Sequence, residues 1–244
     1  MGGGYIGFFD SGVGGITLLA EFCRRYPGER TVYLGDNANA PYGGRGEEEI
    51  YRLTRAALCR LAERFPLRAA VIACNTATAA CIEALRAEFP FPLVGVEPAL
   101  APAAAAVPGG RVLLLCTPAA LACARIGALV KNTRGVSVVC HAPAGLAAAV
   151  EKNIFRLSRI DLSRHLPQGE FDAAVLGCTH YVFLRRRISS ALRCPVFDGN
   201  LGTADHLAAI LNICSKNPQK RAKIAPIFTG EAKKKNKSVF FRYI

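Results

Sequence analysis

The sequence predicts an α/β fold of two related lobes on mostly parallel sheets, with the active site in the cleft between them. Three observations predict it. Short apolar runs alternate with amphipathic helical stretches along the 244 residues. Loops rich in Gly or polar residues follow those runs, where a parallel sheet places its chemistry. Finally, one strand-to-helix junction occurs twice: Ala69-Ala70-Val71-Ile72-Ala73-Cys74-Asn75-Thr76 and Ala173-Ala174-Val175-Leu176-Gly177-Cys178-Thr179-His180.

Taken in order, Tyr5 to Phe9 is an apolar run ended by Asp10-Ser11-Gly12-Val13-Gly14-Gly15, after which Ile16, Leu18, Leu19 and Phe22 recur at helical spacing. Thr31 to Leu34 predicts a second strand. Glu47 to Phe65 predicts a helix with Ile50, Leu53, Ala57, Leu58 and Leu61 on one face, and Ala69 to Ala73 a third strand before a helix from about Ala77 to Phe89. The second half repeats the plan, with strands at Arg111 to Leu115, Val136 to Cys140 and Ala173 to Leu176 and a helix over Pro118 to Val130. The Pro/Ala-rich stretch from Glu97 to Pro108 is expected to cross between the halves, and Asp198 to Thr203 to return. The expected division is therefore residues 1–96 plus about 205–244 in one lobe and 97–204 in the other.

With 51% hydrophobic residues the chain can bury a sizeable core, so disorder throughout is excluded. No basic segment followed by an apolar stretch of signal-peptide length opens it, and no apolar run is long enough to span a bilayer, so a cytoplasmic, membrane-free protein is expected. The ten cysteines lack Cys-x-x-Cys spacing and zinc-finger histidines, so neither a disulfide framework nor a metal site is expected. The loop at Gly12 fails the dinucleotide pattern because residue 17 is Thr, and no Gly-Lys-Ser/Thr occurs, so no cofactor is implied. Net charge is +13, of which +8 lies between Ser215 and the C-terminus. The basic run Lys233 to Lys237 is read as a solvated, partly mobile tail; binding of nucleic acid or a partner through it is the alternative.

Most cysteines are expected to be small core residues, namely Cys23, Cys59, Cys81, Cys116, Cys123, Cys194 and Cys214. Cys74 and Cys178 stand apart because each ends a strand at a helix entry, a position that favours thiolate. Inverting an α-carbon requires a base on one face and an acid on the other, and a thiolate and a thiol exchange those roles without a cofactor. Two related lobes closing on one substrate would present one thiol to each face.

These residues resemble the glutamate racemases, within the aspartate/glutamate racemase family. The resemblance rests on Asp10-Ser11-Gly12-Val13-Gly14-Gly15, Gly35-Asp36-Asn37-Ala38-Asn39 with Pro41-Tyr42-Gly43, Ala73-Cys74-Asn75-Thr76-Ala77, Glu97-Pro98-Ala99, Gly177-Cys178-Thr179-His180-Tyr181 and Asp198-Gly199, and so covers nearly the whole chain. It implies racemisation of L-glutamate to D-glutamate for peptidoglycan, with Cys74 and Cys178 as acid and base. Asp10 would assist Cys74, while His180 and Glu151 would assist Cys178. Substrate would be held by Asp10, Ser11, Pro41, Tyr42, Gly43, Asn75, Thr76, Thr117, Thr179 and His180. A homodimer is the expected assembly, and binding of DNA gyrase, known for some members, is allowed.

One departure concerns the substrate. Where the family carries further hydroxyls after Thr117, this chain reads Ala120, Cys123 and Ile126. A lost hydrogen bond to a charged group is worth about 1.5–3 kcal/mol, so a racemase for aspartate or another acidic amino acid stays open as an alternative.

Overall fold

In a computed structural model of the chain, the structure describes residues 4–214, 223–230 and 233–244. The first lobe opens with β1 (Tyr5–Asp10), α1 (Ile16–Arg25), β2 (Arg30–Gly35), α2 (Glu47–Arg64), β3 (Leu67–Ile72), α3 (Asn75–Glu88) and β4 (Leu93–Gly95). Then come α4 (Leu100–Ala106), β5 (Arg111–Cys116), α5 (Pro118–Ala122), α6 (Ala124–Asn132), β6 (Ser137–His141) and α7 (Leu146–Asn153). Two short 3-10 turns lead to β7 (Ala173–Gly177), α8 (Thr179–Val182), α9 (Arg185–Leu192), β8 (Val196–Asp198) and α10 (Asn200–Ile210). The C-terminal elements are β9 (Lys223–Phe228) and α11 (Lys233–Tyr243).

Two parallel sheets result, ordered β4-β3-β1-β2-β9 and β6-β5-β7-β8. Helices cover both faces of the first sheet, which explains why its central strands read as unbroken apolar runs. Phe9, Val32, Leu34, Ala70 and Ile72 turn toward α2 and α3, whereas Ile6, Phe8 and Val71 share a core with α1. That second core continues into the other lobe through Leu113, Leu115, Leu146, Val150 and Leu176, so apolar packing joins the lobes beneath the cleft.

Several expectations are corrected. The helix expected over Pro118 to Val130 is broken at Cys123, whose backbone is extended. Ala120 and Ile126 are both buried, yet six residues along a straight helix of 3.6 residues per turn they would point about 120° apart. The break lets both face the core. The stretch from Glu97 to Pro108 is not all crossing, since α4 occupies its centre and packs on β5, β7 and β8. Cys214 is exposed just beyond α10 and Cys59 only half-buried, so neither is a core cysteine.

The basic C-terminal stretch is corrected most. Its described part is ordered structure: β9 lies parallel to β2 at the sheet edge, where Pro226 is tolerated. Along α11, Val239 and Phe240 are fully buried, and Phe240 packs edge-on against Phe228. Apolar residues interleaved with the lysines supply the anchoring area that the charge count conceals. Lys216, Lys220, Arg221 and Glu231 of that count lie outside the described residues, as do Met1, Gly2 and Gly3. No helix among the described residues is long and apolar enough to cross a membrane.

Candidate active site

Each thiol is placed by the same local device. β3 runs out at Ile72 and Cys74 is the N-cap of α3; β7 runs out at Gly177 and Cys178 is the N-cap of α8. Register puts the carboxyl ends of β1, β3, β5 and β7 at the cleft, where Asp10 pairs with Gly35 of β2 and Cys116 with Gly177. Asp10, Cys74, Cys178, Thr179 and His180 are all 5% exposed or less. The lobes therefore close over this chemistry and shield it from water.

Around Cys74, the sulfur lies 3.6 Å from the Ser11 hydroxyl, and the nearby Ala77 backbone N–H at the start of α3 favours the thiolate. Burial, reinforced by the nearby Asp10 carboxylate, nevertheless pushes the thiol up to about 11. Charge on Cys178 raises it further, so the two sulfurs are electrostatic neighbours. Asp10 accepts the Gly12 N–H at 2.7 Å and the Thr179 hydroxyl at 3.0 Å, a bond that reaches across the lobes. Its burial raises the carboxyl above the ordinary range, against the opposing pull of His180 and of the Gly12 N–H.

Around Cys178 the neighbouring group is an imidazole paired with a carboxylate. His180 Nδ1 lies 3.9 Å from the Cys178 sulfur, and its Nε2 lies 2.8 Å from Glu151 Oε1. Burial works against charge on this ring, but the Cys178 and Glu151 contacts outweigh it and hold its pKa well above the usual imidazole value. Glu151, on α7 of the second lobe, also accepts the Val13 N–H of the first at 2.8 Å. The Gly-rich loop is what makes this possible. A Cβ on Gly12 would lie 1.7 Å from Glu151 Oε1, and one on Gly14 would lie 2.3 Å from Thr179 Oγ1.

The remaining expected site residues divide into two groups. Ser11, Asn75, Thr76 and Thr117 are buried at the junction, where the Thr76 and Thr117 hydroxyls meet at 2.9 Å across the lobes. The Gly43 carbonyl accepts the Ala119 N–H, so the Pro41 to Gly43 loop also touches the second lobe. Tyr42 instead spends its hydroxyl on Asp36 at 2.7 Å, and Pro41 is exposed beside it. Ala120 is fully buried and its N–H donates to Thr117 Oγ1. Sequence reasoning missed Val13 and Tyr33, whose partners are distant in the chain, and Asp36, which holds the nearby Tyr42 and Asn39. The available signal was only a polar-tipped Tyr inside an apolar strand.

The signature of Asp/Glu/Hydantoin racemases matches residues 11–207. The chain belongs to that family. Glutamate racemase of Clostridium novyi is 39% identical over 211 residues, 83% of this chain and 81% of that one. Glutamate racemase of Leptospira interrogans is 35% identical over 85% of this chain and 83% of its own. Among solved structures, a glutamate racemase isoform of Bacillus anthracis superposes with a TM-score of 0.82 at 32% identity, covering 98% of this chain and 92% of that one. Escherichia coli glutamate racemase, solved with L-glutamate and the activator UDP-MurNAc-ala, gives 0.82 at 28% identity, covering 98% and 95%. The two parallel-sheet lobes are thus those of a racemase, and the chain is an isomerase.

Proposed function

We propose that this racemase interconverts L- and D-glutamate, with Cys74 and Cys178 taking and returning the α-proton on opposite faces and no cofactor taking part. The observation that supports this reading is two buried cysteines, one from each lobe, each at the N-cap position of the helix that follows a parallel strand, with sulfurs close enough to feel each other's charge. A thiolate removes the α-proton from one enantiomer, and the electron pair passes into the adjacent carboxylate. The opposite thiol then delivers its proton to the other face, leaving the roles exchanged for the return direction. His180 offers positive charge on the Cys178 side, and its own proton is held by Glu151. Asp10, locked by Gly12 and Thr179, faces the Cys74 side, where it can orient the substrate ammonium.

Substrate carboxylates need donors. Ser11, Asn75, Thr76 and Thr117 are the side chains that can supply them, together with backbone N–H groups at the start of α3 and of α8, where Thr179 keeps its hydroxyl on Asp10. The glutamate assignment follows the relatives named above, and D-glutamate for peptidoglycan is the corresponding use. Incubation of the purified protein with L-glutamate, without additions, should produce D-glutamate until the enantiomers are equal. L-aspartate should racemise far more slowly. A faster reaction with aspartate would overturn the substrate assignment while leaving the racemase chemistry standing.

A further inference from the structure

We propose that Tyr33 is a positioning residue for the Cys178 half of the site, acting through a single peptide unit of the Gly-rich loop. The proposal rests on the two-thiol reading above. Tyr33 lies on β2, is fully buried, and donates its hydroxyl to the Gly12 carbonyl at 2.8 Å. The Gly12 carbonyl and the Val13 N–H are the two ends of one planar unit, so neither can turn without the other. At the second end, the Val13 N–H holds Glu151 Oε1 at 2.8 Å, the same oxygen that meets His180 Nε2. His180 in turn faces Cys178. A hydroxyl of the first lobe thus fixes the orientation of an acid and imidazole pair that belongs to the second.

The seat for that carbonyl is built. A Cβ on Gly35 would lie 2.5 Å from the Gly12 oxygen, so a residue without a side chain is needed two places beyond Tyr33. The phenol is aimed by the C-terminal elements, its ring packing against Phe228 at 5.7 Å and Phe240 at 6.0 Å. Burial, with the nearby charges of Asp10 and Glu151, keeps the phenol protonated and therefore a donor. The Cys74 half is fastened differently. Asp10 accepts the Gly12 N–H, which belongs to the preceding peptide unit, and Cys74 is set by α3 and Ser11. Loss of the Tyr33 hydroxyl would leave a buried carbonyl unsatisfied and release one peptide plane, which loosens Glu151 before it disturbs Cys74.

Tyr33→Phe keeps the ring and removes the hydroxyl. It should be placed in two backgrounds, Cys74→Ala, where Cys178 is the working thiol, and Cys178→Ala, where Cys74 is. The readout is exchange of the α-proton of each glutamate enantiomer with D₂O. Tyr33→Phe should slow Cys178-dependent exchange by about tenfold or more, as expected for a misaimed catalytic group, and leave Cys74-dependent exchange within about twofold. Equal losses in both backgrounds would mean a structural role only and would overturn the proposal, as would an unchanged Cys178-dependent rate. Fluorotyrosine at position 33 provides a second variant that keeps ring and hydroxyl donor; it should leave both rates within about twofold, and a Cys178-dependent loss as large as that of Tyr33→Phe overturns the proposal. If the two single-cysteine variants exchange both enantiomers alike before Tyr33 is touched, the two-thiol reading itself has failed, an outcome distinct from failure of the Tyr33 proposal.

Discussion

Cys74 and Cys178 each follow a parallel strand and cap a helix, yet one thiol sits against Ser11 and the Asp10 carboxyl while the other sits against an imidazole. Burial with a neighbouring carboxylate raises the first to about 11. Beside the second, His180 is held protonated by its contacts with Cys178 and Glu151 in spite of burial. The backbone plan is repeated and the electrostatics are not. A repeat in sequence can therefore place two thiols in equivalent backbone positions, while the residues that differ on each side give each sulfur its own electrostatic setting.

The sharpest break of this comparison is to remove each sulfur in turn. Racemisation in both directions should fall by about 10²–10⁴-fold in Cys74→Ala and in Cys178→Ala, because in the proposed mechanism either change deletes one of the two proton-transfer partners. α-Proton exchange by nuclear magnetic resonance in D₂O should survive for opposite enantiomers in the two variants. Near-parental racemisation by both would return the cysteines to ordinary core residues.

A methyl group added to the loop offers a selective perturbation of each half. A Cβ at position 12 would lie 1.7 Å from Glu151 Oε1, whereas one at position 15 would lie 2.7 Å from the Asp10 Cβ and 2.8 Å from the Ala73 Cβ. Gly12→Ala should push Glu151 off and cut Cys178-dependent exchange on the order of 10²-fold, the cost of a misplacement of about 1 Å. Gly15→Ala should injure the Cys74 side and, since backbone-linked atoms cannot give way, also lower the melting temperature. Identical rate patterns in the two variants would argue that the halves are not separately tuned.

The smallest expected effect is a displacement in pH. In the folded protein His180 has a raised pKa, so its ion pair with Glu151 contributes fully below the ordinary imidazole value of about 6.5 and is lost as pH rises through the raised value. Glu151→Gln removes the partner charge and should bring that loss to lower pH. The alkaline limb of the Cys178-dependent exchange should move down accordingly, and that of the Cys74-dependent exchange should stay in place. Movement of both limbs together would contradict the division drawn here.

Much of the cleft was legible because its elements are local. Asp10, Cys74 and Cys178 follow apolar runs directly, and Gly-rich or polar junctions announce themselves in a few letters. Glu151 was reached only through resemblance, since nothing near Ala147 to Val150 distinguishes a helix glutamate that pairs with His180 from one in solvent. Val13 carried no signal and Tyr33 only its polar tip within an apolar strand, since their hydrogen bonds join a backbone N–H and a hydroxyl to groups from other elements. The C-terminal stretch was misread because charge dominates its composition, whereas its placement is decided by Val239, Phe240 and the β9 ladder.

By itself the sequence determined the alternation of strands and helices, the duplicated Cys junction and hence a two-lobed parallel α/β enzyme with a thiol at the end of each central motif. Such features follow from periodicity and from short-range chain geometry, which act within a few residues. The tertiary structure alone decided which groups meet around the thiols: Thr179 on Asp10, Glu151 on Val13 and His180, Thr76 on Thr117. These pairings depend on how one lobe closes on the other, and charge, burial and hydrogen bonding at a buried sulfur are fixed only once that closure brings distant residues within about 3 to 4 Å.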